Sequence, residues 1–79
     1  MKLTALQRRV LEAVPERGLL GAYEIKSMLG LHSAPSQTIH ALTRAKLLVE
    51  METYSPVAAW NLAVRRTPAG TAALEAMQP

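Results

Sequence analysis

Apolar positions recur along this chain first with a helical period, then with a period of two, then with a helical period again. Leu3, Leu6, Val10, Ala13 and Val14 follow the first spacing, with Gln7, Arg8, Arg9 and Glu12 mainly on the other side. Thr4 and Gln7 match a Thr-x-x-Gln capping box, which satisfies two otherwise orphan backbone N–H groups. Pro15 cannot extend the hydrogen-bond ladder and disfavours helix at Val14, so a first helix is expected over residues 4–14. Residues 16–18 then turn. Leu19-Leu20 is too short for a strand of its own but suffices for one or two bridges to a small sheet. Gly21 stands where a second helix starts, over residues 22–29, with Tyr23, Ile25, Met28 and Leu29 as its apolar set. Gly30 is placed to stop that helix in the left-handed conformation.

The segment from Ser33 to Leu48, SAPSQTIHALTRAKLL, splits more cleanly than any other. Pro35, Thr38, Ile39, Leu42 and Ala45 fall on one helical face; Ser36, Gln37, His40, Thr43 and Arg44 fall on the other. Ser33 is expected as the N-cap, with Pro35 in the first turn, where a missing N–H costs nothing. This third helix is expected over residues 34–45. The period then shortens. Residues 48–53 partly alternate, Ser55-Pro56 signals a turn, and Trp60, Leu62 and Val64 alternate with Asn61, Ala63 and Arg65. A β-hairpin with its loop at about residues 52–58 follows. Thr67-Pro68 reads as an N-cap with proline at the first helical position, opening a short last helix that carries Gly70, Ala73, Leu74 and Met77.

The expected order is helix, helix, helix, hairpin, helix. These elements bury one core only if the hairpin packs beside the helices. The expected fold class is therefore α+β, mainly α: a winged helix-turn-helix with three helices, a two-stranded wing and a short C-terminal helix, as a single domain over residues 1–79.

Composition narrows the field. The 79 residues are 49 % hydrophobic, enough for a packed core, but with no Phe and one Trp the aliphatic residues must fill it. Net charge is +3, and all six acids are Glu. That balance is compatible with nucleic acid without requiring it, since the cations are scattered rather than in a basic run. The absence of cysteine excludes disulfides and thiolate metal sites. His32 and His40, eight apart with no Cys or Asp to join them, make a metal site improbable, and no cofactor is expected. No stretch of 18 apolar residues occurs and the N-terminus lacks the apolar core of a signal peptide, so a cytoplasmic protein without a membrane span is expected.

Three strings resemble winged-helix regulators of the PadR and MarR type. LLGAYEIKSMLGL is similar to the second-helix region of PadR-type proteins, with Ala22 set between Gly21 and Tyr23. IHALTRAKLLVE resembles the end of the third helix and the start of the wing, with Leu42, Leu47 and Leu48 in place and Lys46 where those families carry glycine. RRTPAG resembles the string after the second wing strand, with Arg66 in place of leucine. The resemblance covers about residues 19–70 and implies a DNA-binding transcriptional regulator. The last helix is too short for the dimerisation arm of the PadR type.

Sequence-specific binding of double-stranded DNA, as a small repressor with the third helix in the major groove, is the leading expectation. The outward face of that helix carries one full charge and hydrogen-bonding groups of several kinds, whereas a face built for solvation alone draws more on Lys and Glu. Gln37 suits bidentate pairing with adenine, Arg44 reaches guanine or phosphate, and Ser36, His40 and Thr43 fit either role. Ser33 and the helix N-terminus are candidates for a phosphate. Arg8 with Arg9, and Arg65 with Arg66, are candidate phosphate grips or simply solubilising charges. Tyr54, in a wing tip without cations, is read first as a packing residue, and Met28, Met51 and Met77 as fillers of core gaps. A homodimer is expected, through Leu74 and Met77 with exposed parts of the first helix such as Leu11. The alternative is a winged-helix protein-interaction module, of the kind a small phage or plasmid adaptor or inhibitor would use. Glu50 and Glu52 at the wing favour it, because they would repel a phosphate backbone. An enzyme is not expected: there is no paired carboxylate, no phosphate loop and no nucleophile beside a base. No small-molecule ligand is evident.

Overall fold

The Thr4 hydroxyl accepts the Gln7 N–H at 3.1 Å, and the Gln7 side chain accepts the Thr4 N–H at 2.9 Å. This reciprocal cap starts α1, Ala5–Ala13, in a computed structural model that describes residues 2–50 and 63–77. Val14 leaves the helix in an extended conformation, as the following proline requires. After a turn with Gly18 at φ 84°, the chain forms β1, Leu20–Gly21, and enters α2, Ala22–Leu29. Glu24 accepts the Gly21 N–H at 3.2 Å at the start of α2, where Gly21 has no side chain to cap the first turn.

α2 ends in a Schellman turn. The Leu31 N–H bonds to the Lys26 carbonyl at 2.9 Å and the Gly30 N–H to the Ser27 carbonyl at 3.3 Å, with Gly30 left-handed at φ 66°. The next helix, α3, is Ser36–Arg44, and it closes the same way. Leu47 donates to the Leu42 carbonyl and Lys46 to that of Thr43, both at 3.0 Å, with Lys46 at φ 65°. Among the described residues Lys46 alone adopts positive φ without being glycine. It holds a position that glycine occupies at no steric cost.

The start of α3 differs from expectation. Pro35, not Ser33, is the residue before the first helical turn, and no side chain caps it. A cap at Ser33 would require Ala34 to be helical, and a residue preceding proline is driven out of that conformation.

Among the described residues, three strands make one antiparallel sheet in the order β1-β3-β2, with β2 at Leu48–Glu50 and β3 at Ala63–Arg66. Leu20 pairs with Val64 and Gly21 with Ala63 on one side of β3; Leu48, Val49 and Glu50 pair with Arg66, Arg65 and Val64 on the other. The two bridges from β1 make β3 the central strand. Ala63 is consequently buried beside Val64, not turned outward as simple alternation predicts. The expected hairpin loop lies outside the described residues, as do Met51, Glu52, Tyr54, Trp60 and Leu62.

The last helix, α4, is Pro68–Ala76, and the Thr67 hydroxyl accepts the Gly70 N–H at 3.0 Å. That hydroxyl also lies 2.8 Å from the Lys46 carbonyl and 3.0 Å from that of Leu47, so its one proton ties the end of α3 to the start of α4. Gly70 sits against this junction. A Cβ there would overlap the Leu47 carbonyl oxygen and lie 2.9 Å from Cγ of Arg66.

Val10, Leu11, Val14, Ala22, Ile25, Ile39, Leu42, Leu48, Val64 and Leu74 form the core. α1 packs on α2, α3 and α4, which widens its buried arc enough to take in Leu11. Leu11 is fully buried and Leu74 is 8 % exposed, so the interface expected from these two residues is already consumed inside one chain. α2 corrects expectation in the opposite direction. Ala22 and Ile25 are buried, while Tyr23 and Met28 are 55 % and 59 % exposed and fill no core gap. The chain is thus α+β and mainly helical, with four helices and a small antiparallel sheet among the described residues. No helix among the described residues is long and apolar enough to cross a membrane.

Candidate functional site

α3 is nine residues long, and its inner face is set by Pro35, Ile39 and Leu42, all buried. Those anchors, three and four apart, fix the rotation of the helix and turn Ser36, Gln37, His40 and Arg44 into solvent. Thr38 and Ala45 border the inner face half-buried, and the division read from the sequence holds at both edges. Thr43 is the partial exception. It is half-buried, and its hydroxyl donates to the Ile39 carbonyl at 2.8 Å, which spends its one proton within the helix.

The N-terminal end of α3 borders a shallow open depression lined by Ser33, Ala34, Pro35, Ser36, Gln37 and Thr38. Ser36 donates its N–H to the Ala34 carbonyl at 2.8 Å, and the first N–H groups of the helix receive no side-chain cap. A helix end in this state presents backbone donors and the positive end of the helix dipole to solvent. Arg44 lies in the last turn, where a cation is favoured by the opposite end of the dipole.

β2 runs beside the outward face of α3. Oε1 of Glu50 lies 3.4 Å from Nδ1 of His40, with both side chains about half exposed. Sequence reading treats Glu50 only as a charge that would repel phosphate, and misses this pairing. The two residues are ten apart on different elements, so neither helical nor strand spacing signals it. The tight turn through Lys46 is what brings the strand back along the helix.

The remaining candidate residues are not gathered at this face. Arg8 belongs to α1 and pairs with Glu12 one turn away at 2.8 Å. Arg9 donates to the Leu29 carbonyl at 3.1 Å and so serves the C-terminus of α2. Arg66 turns inward. Its guanidinium donates to the Leu11 carbonyl at 3.3 Å, and its Nε is buried without a partner. Arg65 stands opposite Val49 in the sheet, half-buried, where it helps to line an open depression with Glu16, Arg17 and Pro68. Ser33 is exposed beside the start of α3 but caps nothing.

Comparison of the chain with family models, with curated proteins and with solved structures finds no match. A functional reading therefore rests on the geometry of α3 and its surroundings.

Proposed function

We propose that this chain is a winged helix-turn-helix domain, of the PadR and MarR type its sequence resembles, that binds double-stranded DNA in a sequence-specific way as a small cytoplasmic regulator. The order α1-β1-α2-α3-β2-β3-α4, with α2 and α3 joined by a short turn and β2 with β3 leading into α4, supports that architecture. The observation that carries the function is the outward face of α3. Ser36, Gln37, His40 and Arg44 are exposed along a helix whose opposite face is locked into the core.

In this reading α3 lies in the major groove, whose base edges offer a distinct donor and acceptor pattern for each pair. Gln37 pairs with adenine through its amide, and Arg44 takes guanine or a phosphate. The uncapped start of α3 with Ser33 and Ser36 receives a phosphate oxygen. Arg44 and the exposed Lys46 supply cations beside the groove. Arg66 is excluded from the contact set because its guanidinium is committed to α1. A second copy on a neighbouring half-site, one helical turn away, would have to meet the first through a surface other than Leu11 and Leu74.

A protein-interaction module is the second reading. It is favoured by four exposed large apolar residues, Leu19, Tyr23, Met28 and Val49. Salt dependence separates the two. With about four phosphates contacted per chain, the log–log slope of affinity against salt is expected near −3.6. A flat dependence, or no binding of mixed genomic fragments at low salt, overturns the DNA reading.

A further inference from the structure

Among the described residues, Glu50 is an acid whose position is paradoxical for a DNA-binding surface. It stands at the end of β2 with its carboxylate turned toward α3, 3.4 Å from Nδ1 of His40. An ionised carboxylate has no proton and can only accept. A hydrogen bond across this gap requires the hydrogen on the ring nitrogen that faces the carboxylate. A neutral imidazole has one N–H, so protonation at Nδ1 leaves Nε2, on the far side of the ring, as a bare acceptor.

We infer that Glu50 is a positioning residue that holds neutral His40 in its Nδ1–H form, so that Nε2 reads an exocyclic amine of adenine or cytosine. The inference rests on the proposed DNA reading and adds to it the class of base that His40 selects. In the major groove the N6 amine of adenine and the N4 amine of cytosine are donors, whereas O6 and N7 of guanine are acceptors. An Nε2 acceptor meets the first two and is left against a like group by guanine. His40 stands one turn after Gln37 and one turn before Arg44 on the same exposed face, so this selection falls between their contacts. Glu50 at the end of β2 then has a purpose that repulsion from phosphate does not supply. Its charge is directed at a helix side chain and acts on base choice through it.

The tautomer is testable in the free protein. Long-range proton–nitrogen spectra at a pH where both histidines are neutral should show His40 with a protonated Nδ1 and a bare Nε2. His32 is exposed and pairs with no carboxylate among the described residues, so it serves as the internal control. Glu50→Ala should move the His40 pattern to that of His32. A wild-type His40 indistinguishable from His32 overturns the inference whatever the protein binds. The second arm is selection of DNA fragments by the wild type, Glu50→Ala and His40→Ala. The wild type is expected to prefer adenine or cytosine over guanine at one position by about tenfold to a hundredfold, a preference that both variants lose at that position alone. Fragments bound equally well by wild type and Glu50→Ala, with the same preferences, overturn the inference and leave the DNA reading standing. No fragment bound by the wild type overturns the DNA reading itself.

Discussion

α2 and α3 are consecutive helices of eight and nine residues, each anchored by two buried residues of its own, and each closed by the same pair of Schellman hydrogen bonds. They differ in the residue at the left-handed position and in the outward face. At the ends of α2, Glu24 accepts the Gly21 N–H, Gly30 takes the left-handed position, and Arg9 reaches across from α1 to the Leu29 carbonyl. α3 has no side-chain cap at its start and places Lys46 in the left-handed position. Its outward face carries Ser36, Gln37, His40 and Arg44, where α2 turns out Tyr23, Glu24, Ser27 and Met28. The left-handed end position is filled by glycine in α2 and by a residue with a Cβ, Lys46, in α3.

The largest expected effect tests the shared half of that comparison. Ile39→Ala in α3 and Ile25→Ala in α2 each remove a fully buried side chain and should cost about 2–5 kcal/mol of unfolding free energy. Gln37→Ala and Ser27→Ala, on the exposed faces, should stay within roughly 0.5 kcal/mol. Denaturant midpoints at constant slope measure all four, and a large loss for Gln37→Ala would mean that the outward face of α3 is structural.

The helix ends come next in size. Gly30→Ala forces a side chain into the left-handed region and should destabilise by about 1–2 kcal/mol. Lys46→Gly relieves the same strain at the end of α3, while Lys46→Ala retains it. The first should stabilise by up to about 1 kcal/mol and the second should change little. An Ala and a Gly variant of equal stability at 46 would erase the difference between the two ends.

Those ends also show what the sequence discloses and what it withholds. The cap at Thr4, the stop at Pro15, the limits of α2 and the Thr67-Pro68 start of α4 are written in residues next to the feature they control. The two faces of α3 are equally local, since Pro35, Ile39 and Leu42 repeat within one helix. The burial of Leu11 is different, because it depends on α4 closing over α1 through the gap that Gly70 leaves. Arg66 is drawn to a carbonyl 55 residues away, and Glu50 to a histidine on another element. No periodicity carries such contacts. The error at Ser33 has a local cause: Ala34 precedes a proline, and that constraint outweighs the preference of serine for a cap.

In the proposed function the outward face of α3 reads base edges and that of α2 does not. Selection of genomic fragments, followed by footprinting with the wild type, Gln37→Ala, Arg44→Ala and Ser27→Ala, tests it most directly. One protected sequence is expected for the wild type and Ser27→Ala. Gln37→Ala and Arg44→Ala should each lose about 1–3 kcal/mol of discrimination at separate positions within it. Selected fragments with no common sequence, or a footprint that both α3 variants leave unchanged, would contradict it.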